Sequence, residues 1–418
     1  MKRTDVSDSI EKVKIATELQ QLLHEQSIDK NTPGSILKDF ETLLDYIGDR
    51  GLKTTSQYYL LPQGCLNELN SRMSRPMAHR LKRAQQRSFP LLHGLYLLLR
   101  TTGIGVGTGL PPSGRLTLNA EPLKIWLQLN PTEKYFALLE NWLIHASTES
   151  FGESDRRSNV CMESFTWVFD GLTRSPVIQI EQPKNRNPIV HGTMSALTVS
   201  LMEAFGWIST EHAPPVDGET QQISRVELLP FGSAMTQLLM LGRFSRYPGY
   251  SGTREQKPGI LQPLFRPYFP AWKQNLELPE PESRPGKYTW RVSVGKPWRR
   301  IVIPGDFSLD SLANAILWAF DFDNDHLYHF EFPNQSGRIV RYECPYCRDA
   351  SAWTDEVAIE DLPLAEGAAM KFVFDYGDNW QFTVKLESVT EVDPALTEAK
   401  ITQSSGKAPA QYGDEDDE

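Results

Sequence analysis

The hydrophobic period changes once along this chain, and that change limits the fold more than any other feature. Up to about residue 241 apolar residues recur at helical spacing; from 288 they alternate as in strands; a proline-dense stretch separates the two regimes. Such a pattern builds a largely helical part followed by a sheet-based part, and 418 residues are enough for several domains.

In the helical part, residues 8–26 put Ile10, Val13, Ala16, Leu19, Leu22 and Leu23 at helix-face positions, and SILKDFETLLDYI at 35–47 repeats the pattern. LLHGLYLLLR at 91–100 is the longest apolar run, about half of the ~20 residues a membrane span needs, and reads as a buried helix. The Gly-rich stretch after it, TTGIGVGTGLPPSGRLTL, predicts two short strands around a loop. Asn130-Pro131-Thr132-Glu133 has the form of a capping box, opening a helix with Tyr135, Leu138, Leu139, Trp142 and Leu143 on one face. Helices, a β-wing and another helix predict a winged-helix-like module over 36–150, after an N-terminal helix in 1–35. MSALTVSLMEAFGWIST and RVELLPFGSAMTQLLML predict a second module of this kind over 151–275, ending in a segment rich in proline and aromatic residues.

Residues 276–287 are expected as a linker. Beyond it YTWRVSV, RRIVIP, HLYHFEF, KFVFDY and WQFTVKLESV alternate as strands, the fourth facing Phe372, Phe374 and Tyr376 one way. Ser308 caps a helix whose inner stripe is Leu309, Leu312, Ile316 and Phe320. The expectation for 288–392 is an α+β domain with one main helix packed on a sheet of about five strands, which makes the whole a multi-domain α+β protein. From 393 to 418 the chain is expected as an acidic disordered tail.

Three motifs of this last domain, WRRIVIP at 298–304, HLYHFEF at 326–332 and DYGDNW at 375–380, resemble in their order the plasmid pRiA4b ORF-3-like family, also described as transposon-passenger TnpR. LLPQGCLNELN at 60–70 resembles the helical extension of its longer members. The resemblance implies an α+β domain carried on plasmids, transposons and bacterial chromosomes, without an assigned reaction. The sequence departs from the family pattern at Tyr328, where a second His is usual, and at His329, where an acidic residue is common. A Cys- and Pro-rich ending of some members is replaced by Gly406–Tyr412.

A net charge of −10 and a pI near 5.4 give the whole molecule no attraction for nucleic acid or an anionic membrane, so any such contact needs a local patch. One candidate is 71–100, with seven Lys or Arg and no acidic residue. On a helix, Arg80, Arg83 and Arg87 fall on one side with Arg72, Arg75 and Lys82 close by, a surface for phosphates or a plain solvated face. Trp298, Arg299 and Arg300 offer stacking and forked donors to nucleic acid, or pair internally with Asp375 and Asp378. Asp375 and Asp378 with His326 are candidate catalytic or metal-binding groups; as Asp, Gly and Asn between two alternating runs they equally form a hairpin turn. Cys344 and Cys347, with His326 and His329, are a candidate zinc set, the two histidines pointing to opposite faces of a strand; otherwise they are free thiols in a loop.

Four cysteines without an apolar leader predict a cytoplasmic protein with no membrane partner. No P-loop, G-x-S-x-G or H-E-x-x-H motif is present, and no cofactor is expected. The first functional expectation is a non-enzymatic DNA- or RNA-binding or regulatory protein of mobile-element context. The alternatives are a divalent-metal-dependent enzyme acting on nucleic acid or nucleotides, and a module holding a protein partner through 242–273.

Overall fold

The computed structural model describes residues 16–56, 58–108, 114–146, 160–180, 193–241, 257–278, 282–333, 339–348, 350 and 352–412. They fall into two compact units divided between 278 and 282. Among the described residues no helix is long and apolar enough to cross a membrane.

The first unit runs α1 (Thr17–Glu25), α2 (Ile36–Ile47), β1 (Leu52–Lys53), α3 (Leu66–Arg72), α4 (Pro90–Thr101), β2 (Gly105–Thr108), β3 (Arg115–Leu118), α5 (Ala120–Gln128), α6 (Pro131–Leu143), α7 (Val160–Arg174), β4 (Val177–Gln179), α8 (Thr193–Ala204), β5 (Ile208–Ala213), β6 (Gln222–Leu228), α9 (Pro230–Leu241) and the short α10 (Gln262–Phe265). Its strands form two small antiparallel sheets, β1-β3-β2 and β4-β6-β5. The apolar run at 91–100 is the buried helix α4, with Leu95, Tyr96, Leu97, Leu98 and Leu99 all at 0% exposure. Gly94 is needed where α4 meets α8, because a Cβ there would stand 2.9 Å from Leu201.

The two expected N-terminal modules share one apolar core. Trp142 of α6 stacks on Phe205 at 5.4 Å, and Tyr135 OH donates to Phe205 O at 2.9 Å while accepting from Trp207 Nε1 at 2.8 Å. Bulky side chains from either side of residue 150 fill the same space, so no boundary forms between them.

The capping box forms as expected: Glu133 N donates to Asn130 Oδ1 at 3.0 Å and Asn130 N to Glu133 Oε2 at 2.8 Å. Glu133 and Glu140, seven residues apart on α6, also clamp the strap at 257–278. Glu133 Oε1 accepts from Lys273 N (3.1 Å) and Gln274 N (2.8 Å); Glu140 accepts from Gly259 N (2.7 Å) and Leu261 N (2.8 Å). Leu261, Phe265, Phe269 and Trp272 of the strap are buried, and Trp272 stacks on Phe136 at 4.2 Å. The part of 242–273 that the structure describes therefore turns these four side chains into the core; 242–256 lie outside the described residues.

The second unit is a seven-stranded antiparallel sheet with one long helix, α11 (Leu309–Phe320), on one face. Its strands are β7 (Lys287–Ser293), β8 (Trp298–Pro304), β9 (Tyr328–Pro333), β10 (Ile339–Glu343), β11 (Ala369–Phe374), β12 (Trp380–Thr390) and β13 (Lys400–Ser405), in the order β10-β9-β11-β12-β7-β8-β13. The α+β class stands, but the sheet has two strands more than expected. Both extra strands are edges: β13 is mostly exposed and carries no alternation to read, while β10 turns Val340 and Tyr342 onto the core and leaves Ile339 and Arg341 exposed. β13 also corrects the expected disordered tail from 393: pairing with β8 satisfies backbone groups of what would be an open edge. The acidic end at 413–418 lies outside the described residues. Ser308 caps α11 as expected, accepting from Ser311 N at 3.2 Å, and Leu309, Leu312, Ile316 and Phe320 are fully buried.

Candidate functional site

DYGDNW is the loop that joins β11 to β12, whose last pair is Phe374 with Trp380. Asp375 and Asn379 take left-handed backbone (φ 55° and 56°), and Asn379 N donates to Asp375 O at 2.6 Å. Asp375 Oδ1 accepts from Gly377 N at 2.8 Å and Asp378 N at 3.4 Å, the bonding that makes aspartate a turn former. Its other oxygen lies 3.4 Å from His326 Nε2. Asp378 is exposed to solvent. The structure thus brings His326 to Asp375 but turns Asp378 outward, and the carboxylate pair is a turn.

His326 also stands 3.7 Å from Asp325 Oδ1. Asp325 accepts from Tyr412 OH and, at 3.1 Å, from Gln411 Nε2. The Tyr412 hydrogen bond holds the Asp325 carboxyl below its usual range, and the same bond raises Tyr412 to about 12. The Gly406–Tyr412 ending is therefore tied to the turn that carries His326, a contact with no signal in sequence spacing.

A second network begins one residue further. Tyr376 OH donates to Glu343 Oε2 at 2.6 Å and takes a hydrogen bond from His329 Nδ1 at 2.9 Å. Burial first, and then Glu343, push the Tyr376 phenol well above its ordinary value. Tyr376 is half exposed in the loop, a correction to its expected place beside Phe372 and Phe374: the left-handed turn at Asp375 ends the strand's alternation before it. On the outer face of β9, the His329 ring, then Lys371 and Arg341, hold the Glu331 carboxyl far below its usual range. Cys344 and Cys347 are free, their sulfurs 3.7 Å apart.

His326 and His329 thus serve separate networks, and the expected set of Cys344, Cys347, His326 and His329 does not converge. Among the described residues no three His, Cys, Asp or Glu side chains are grouped to hold a metal ion. Tyr328, at the position of the family's second His, is buried and donates to Asp310.

The WRR motif divides between the two faces of the sheet. Arg299 is only 9% exposed and points toward α11, donating to Ala319 O at 2.9 Å, Trp298 O at 3.0 Å, Gly406 O at 3.2 Å and Ser405 O at 3.3 Å. Its guanidinium lies 4.8 Å from the Phe320 ring centre, so it ties the end of α11 to β13 and is not a surface contact. Arg300 points outward and meets Glu387 with two nitrogens, at 2.5 and 3.1 Å. The expected pairing of these arginines with Asp375 or Asp378 is replaced by these partners: β7 lies between β8 and the β11–β12 hairpin, and Arg299 is level with Val384, four residues past Trp380.

On the outer face, register places Arg300 of β8 opposite Arg291 of β7, and Arg291 opposite Lys385 of β12. Three cations lie in one row across three neighbouring strands, an arrangement that costs folding energy. Trp298 heads the next row, opposite Ser293 and then Thr383, and the Arg291 guanidinium lies 4.5 Å over its indole. Lys371 and Arg341 extend this face, both bound to Glu331. Arg291 and Lys385 were not singled out from the sequence; their alternation with Trp290 and Val384 is the signal that would have placed them outward.

The basic segment is not the helix expected. After α3, residues 73–85 are irregular, and only Gln86–Ser88 form a single 3-10 turn before Pro90 opens α4. The stretch 78–80 is held instead along the β5–β6 connection: Arg80 N donates to Glu219 O at 2.9 Å and Gly218 N to Arg80 O at 3.1 Å. Three of the six cations have carboxylate partners, Arg72 with Glu68, Arg75 with Glu203 and Arg80 with Asp217. Lys82, Arg83 and Arg87 are exposed, with Arg87 also acting on His93.

Residues 293–414 match the family model described as plasmid pRiA4b ORF-3-like protein. No curated protein matches the chain. A protein of unknown function from Methanosarcina mazei Go1, known from its crystal structure, is similar at 22% identity, with 30% of this chain and 72% of that chain covered and a TM-score of 0.27.

Proposed function

Because residues 293–414 carry a pRiA4b ORF-3-like domain, we propose that this is a mobile-element-associated protein that binds single-stranded nucleic acid on the outer face of its C-terminal sheet, without turnover. The observation that carries the reading is the cation row Arg300–Arg291–Lys385 beside Trp298. A guanidinium lying on an indole is a plane on which a base stacks, and neighbouring cations meet the phosphates that follow it. Around it Ser293, Thr383 and Gln403 supply hydroxyl and amide groups, and the one carboxylate described beside the row, Glu387, is taken up by Arg300. The family's description as plasmid-borne supports the mobile-element context.

A winged-helix-type second contact in the first unit rests on the β2–β3 hairpin that follows α4 and on exposed Lys82, Arg83 and Arg87. It is the weaker of the two surfaces, since Arg72, Arg75 and Arg80 already have carboxylate partners, whereas among the described residues only Arg300 of the sheet's three-cation row is in an ion pair.

The test is fluorescence anisotropy with labelled single-stranded DNA and RNA across a salt series. Three phosphate contacts give a slope of log affinity against log salt of about −2, at roughly −0.7 per phosphate. Arg291→Glu with Lys385→Glu is expected to abolish binding, and Trp298→Ala to weaken it about tenfold or more. Binding that is absent at low salt, or indifferent to these substitutions, refutes the proposal.

A further inference from the structure

The CPYC turn at 344–347 lies apart from that cation row. Cys344 N donates to Tyr328 O at 2.9 Å and Cys347 N to Cys344 O at 3.0 Å, so one tight turn holds both side chains. Their thiols are free and 3.7 Å apart. A disulfide bond is about 2.05 Å long, so less than about 2 Å of sulfur movement separates the dithiol from a bond. Access differs between the two: Cys344 is at 0% exposure and Cys347 is half-buried. Cys347 Sγ points at Glu343 Oε2 (3.6 Å), the oxygen that also accepts from Tyr376 OH (2.6 Å).

We propose that Cys344 and Cys347 are an oxidative modification site, converted by a small-molecule disulfide into an intramolecular bond that takes one of two donors away from Glu343. Cys347, the reachable sulfur, gives its proton to solvent and attacks one sulfur of the small disulfide. That S–S bond breaks and one small thiolate leaves, taking up a proton. Cys344 then loses its proton and attacks Cys347 Sγ, expelling the second small thiol. Two protein thiols are oxidised by two electrons and one small disulfide is reduced to two thiols. The change reaches the DYGDNW loop, because Glu343 is the acceptor that anchors Tyr376. Burial, with the neighbouring Cys344 and Glu343, pushes the Cys347 thiol up to about 12, so the reaction is slow near neutrality and accelerates with rising pH.

The experiment incubates the full chain with graded excesses of oxidised glutathione in the presence of EDTA, quenches with excess N-ethylmaleimide in guanidinium chloride so that buried thiols are labelled too, and reads each cysteine by peptide mass. The expected result is joint loss of both maleimide labels at Cys344 and Cys347, recovered by dithiothreitol, while buried Cys65, with its thiol raised to about 11, stays reduced. Cys344→Ser is expected to trap one glutathione on Cys347, whereas Cys347→Ser leaves Cys344 without an adduct. Retention of both labels at every glutathione excess overturns the proposal. So does label loss seen only in urea, or an adduct on Cys344 in Cys347→Ser that forms as readily as the one trapped in Cys344→Ser.

Discussion

Glu140 on α6 is a buried carboxylate whose side-chain partners among the described residues are two backbone N–H groups. Burial raises it from an ordinary 4.5 to about 7, against the opposing pull of the Gly259 and Leu261 N–H groups. A native state that holds a proton up to pH 7 is favoured by acid: the contribution is complete below pH 4.5 and is lost as pH rises through 7. At about 1.4 kcal/mol per pH unit over roughly 2.5 units, this amounts to about 3 kcal/mol of lost stability.

His93 on α4 works the other way. Burial, helped by the Arg87 charge, lowers it from 6.5 to about 4, so the native state refuses a proton that the unfolded chain accepts. Its contribution is present above pH 6.5 and is lost as pH falls through 4, again about 3 kcal/mol. The two groups sit in one unit and oppose each other over nearly the same window, so the first unit's stability should change little between pH 4.5 and 6.5.

Glu140→Gln removes one side of this balance. An amide satisfies only one of the two strap N–H groups and sets an NH2 against the other, a pH-independent loss of about 1–3 kcal/mol. What identifies the mechanism is the slope: the variant should gain about 3 kcal/mol as pH rises from 4.5 to 6.5, where the wild type stays nearly flat. Urea unfolding followed through Trp126, Trp142, Trp207 and Trp272, all buried in this unit, measures it. If the difference between variant and wild type is the same at every pH, the reasoning is wrong.

Three further substitutions separate structural from exposed positions in the second unit. Arg299→Met leaves the carbonyls of Ala319, Ser405 and Gly406 without their donor and should lower stability by about 2–4 kcal/mol, with faster hydrogen exchange across 400–405; unchanged exchange there would count against its tying role. Asp375→Ala should cost about 1–2 kcal/mol, from lost turn bonds and a left-handed backbone unsuited to alanine, whereas exposed Asp378→Ala should stay within about 0.5 kcal/mol in urea melts. Equal effects at the two aspartates would contradict the turn assignment.

What the sequence revealed follows from where burial is one-sided. The inner strands, α11, α4 and the Asn130 capping box were readable because apolar periodicity or local capping chemistry marks them. β13 was not, since an exposed edge strand needs no apolar face; β10 was not, because its alternation, Val340 and Tyr342 on the core, spans only five residues. The segment at 75–89 has a charge pattern that suits a helix, yet backbone bonds to the β5–β6 hairpin, 130 or more residues later in the chain, decide its course. Arg299 could have been placed from the sequence: in WRRIVIP it shares parity with Ile301 and Ile303, which are buried, while Trp298 and Arg300 share parity with Val302. The Glu133 and Glu140 clamp was hidden because its partners are backbone N–H groups of a distant strap, which leave no mark on side-chain pattern.

Arg299 and Ser405, joined in the folded sheet, are 106 residues apart in the chain. At synthesis rates of about 5–20 residues per second, β8 waits roughly 5–20 s for the strand that covers its edge. During that interval the nascent chain exposes an unpaired strand beginning Trp-Arg-Arg to anything that can add a strand to it, including another nascent copy. A messenger cut short before codon 400 would make that exposure permanent, and its product should pass to proteases or aggregates while the full-length chain escapes both.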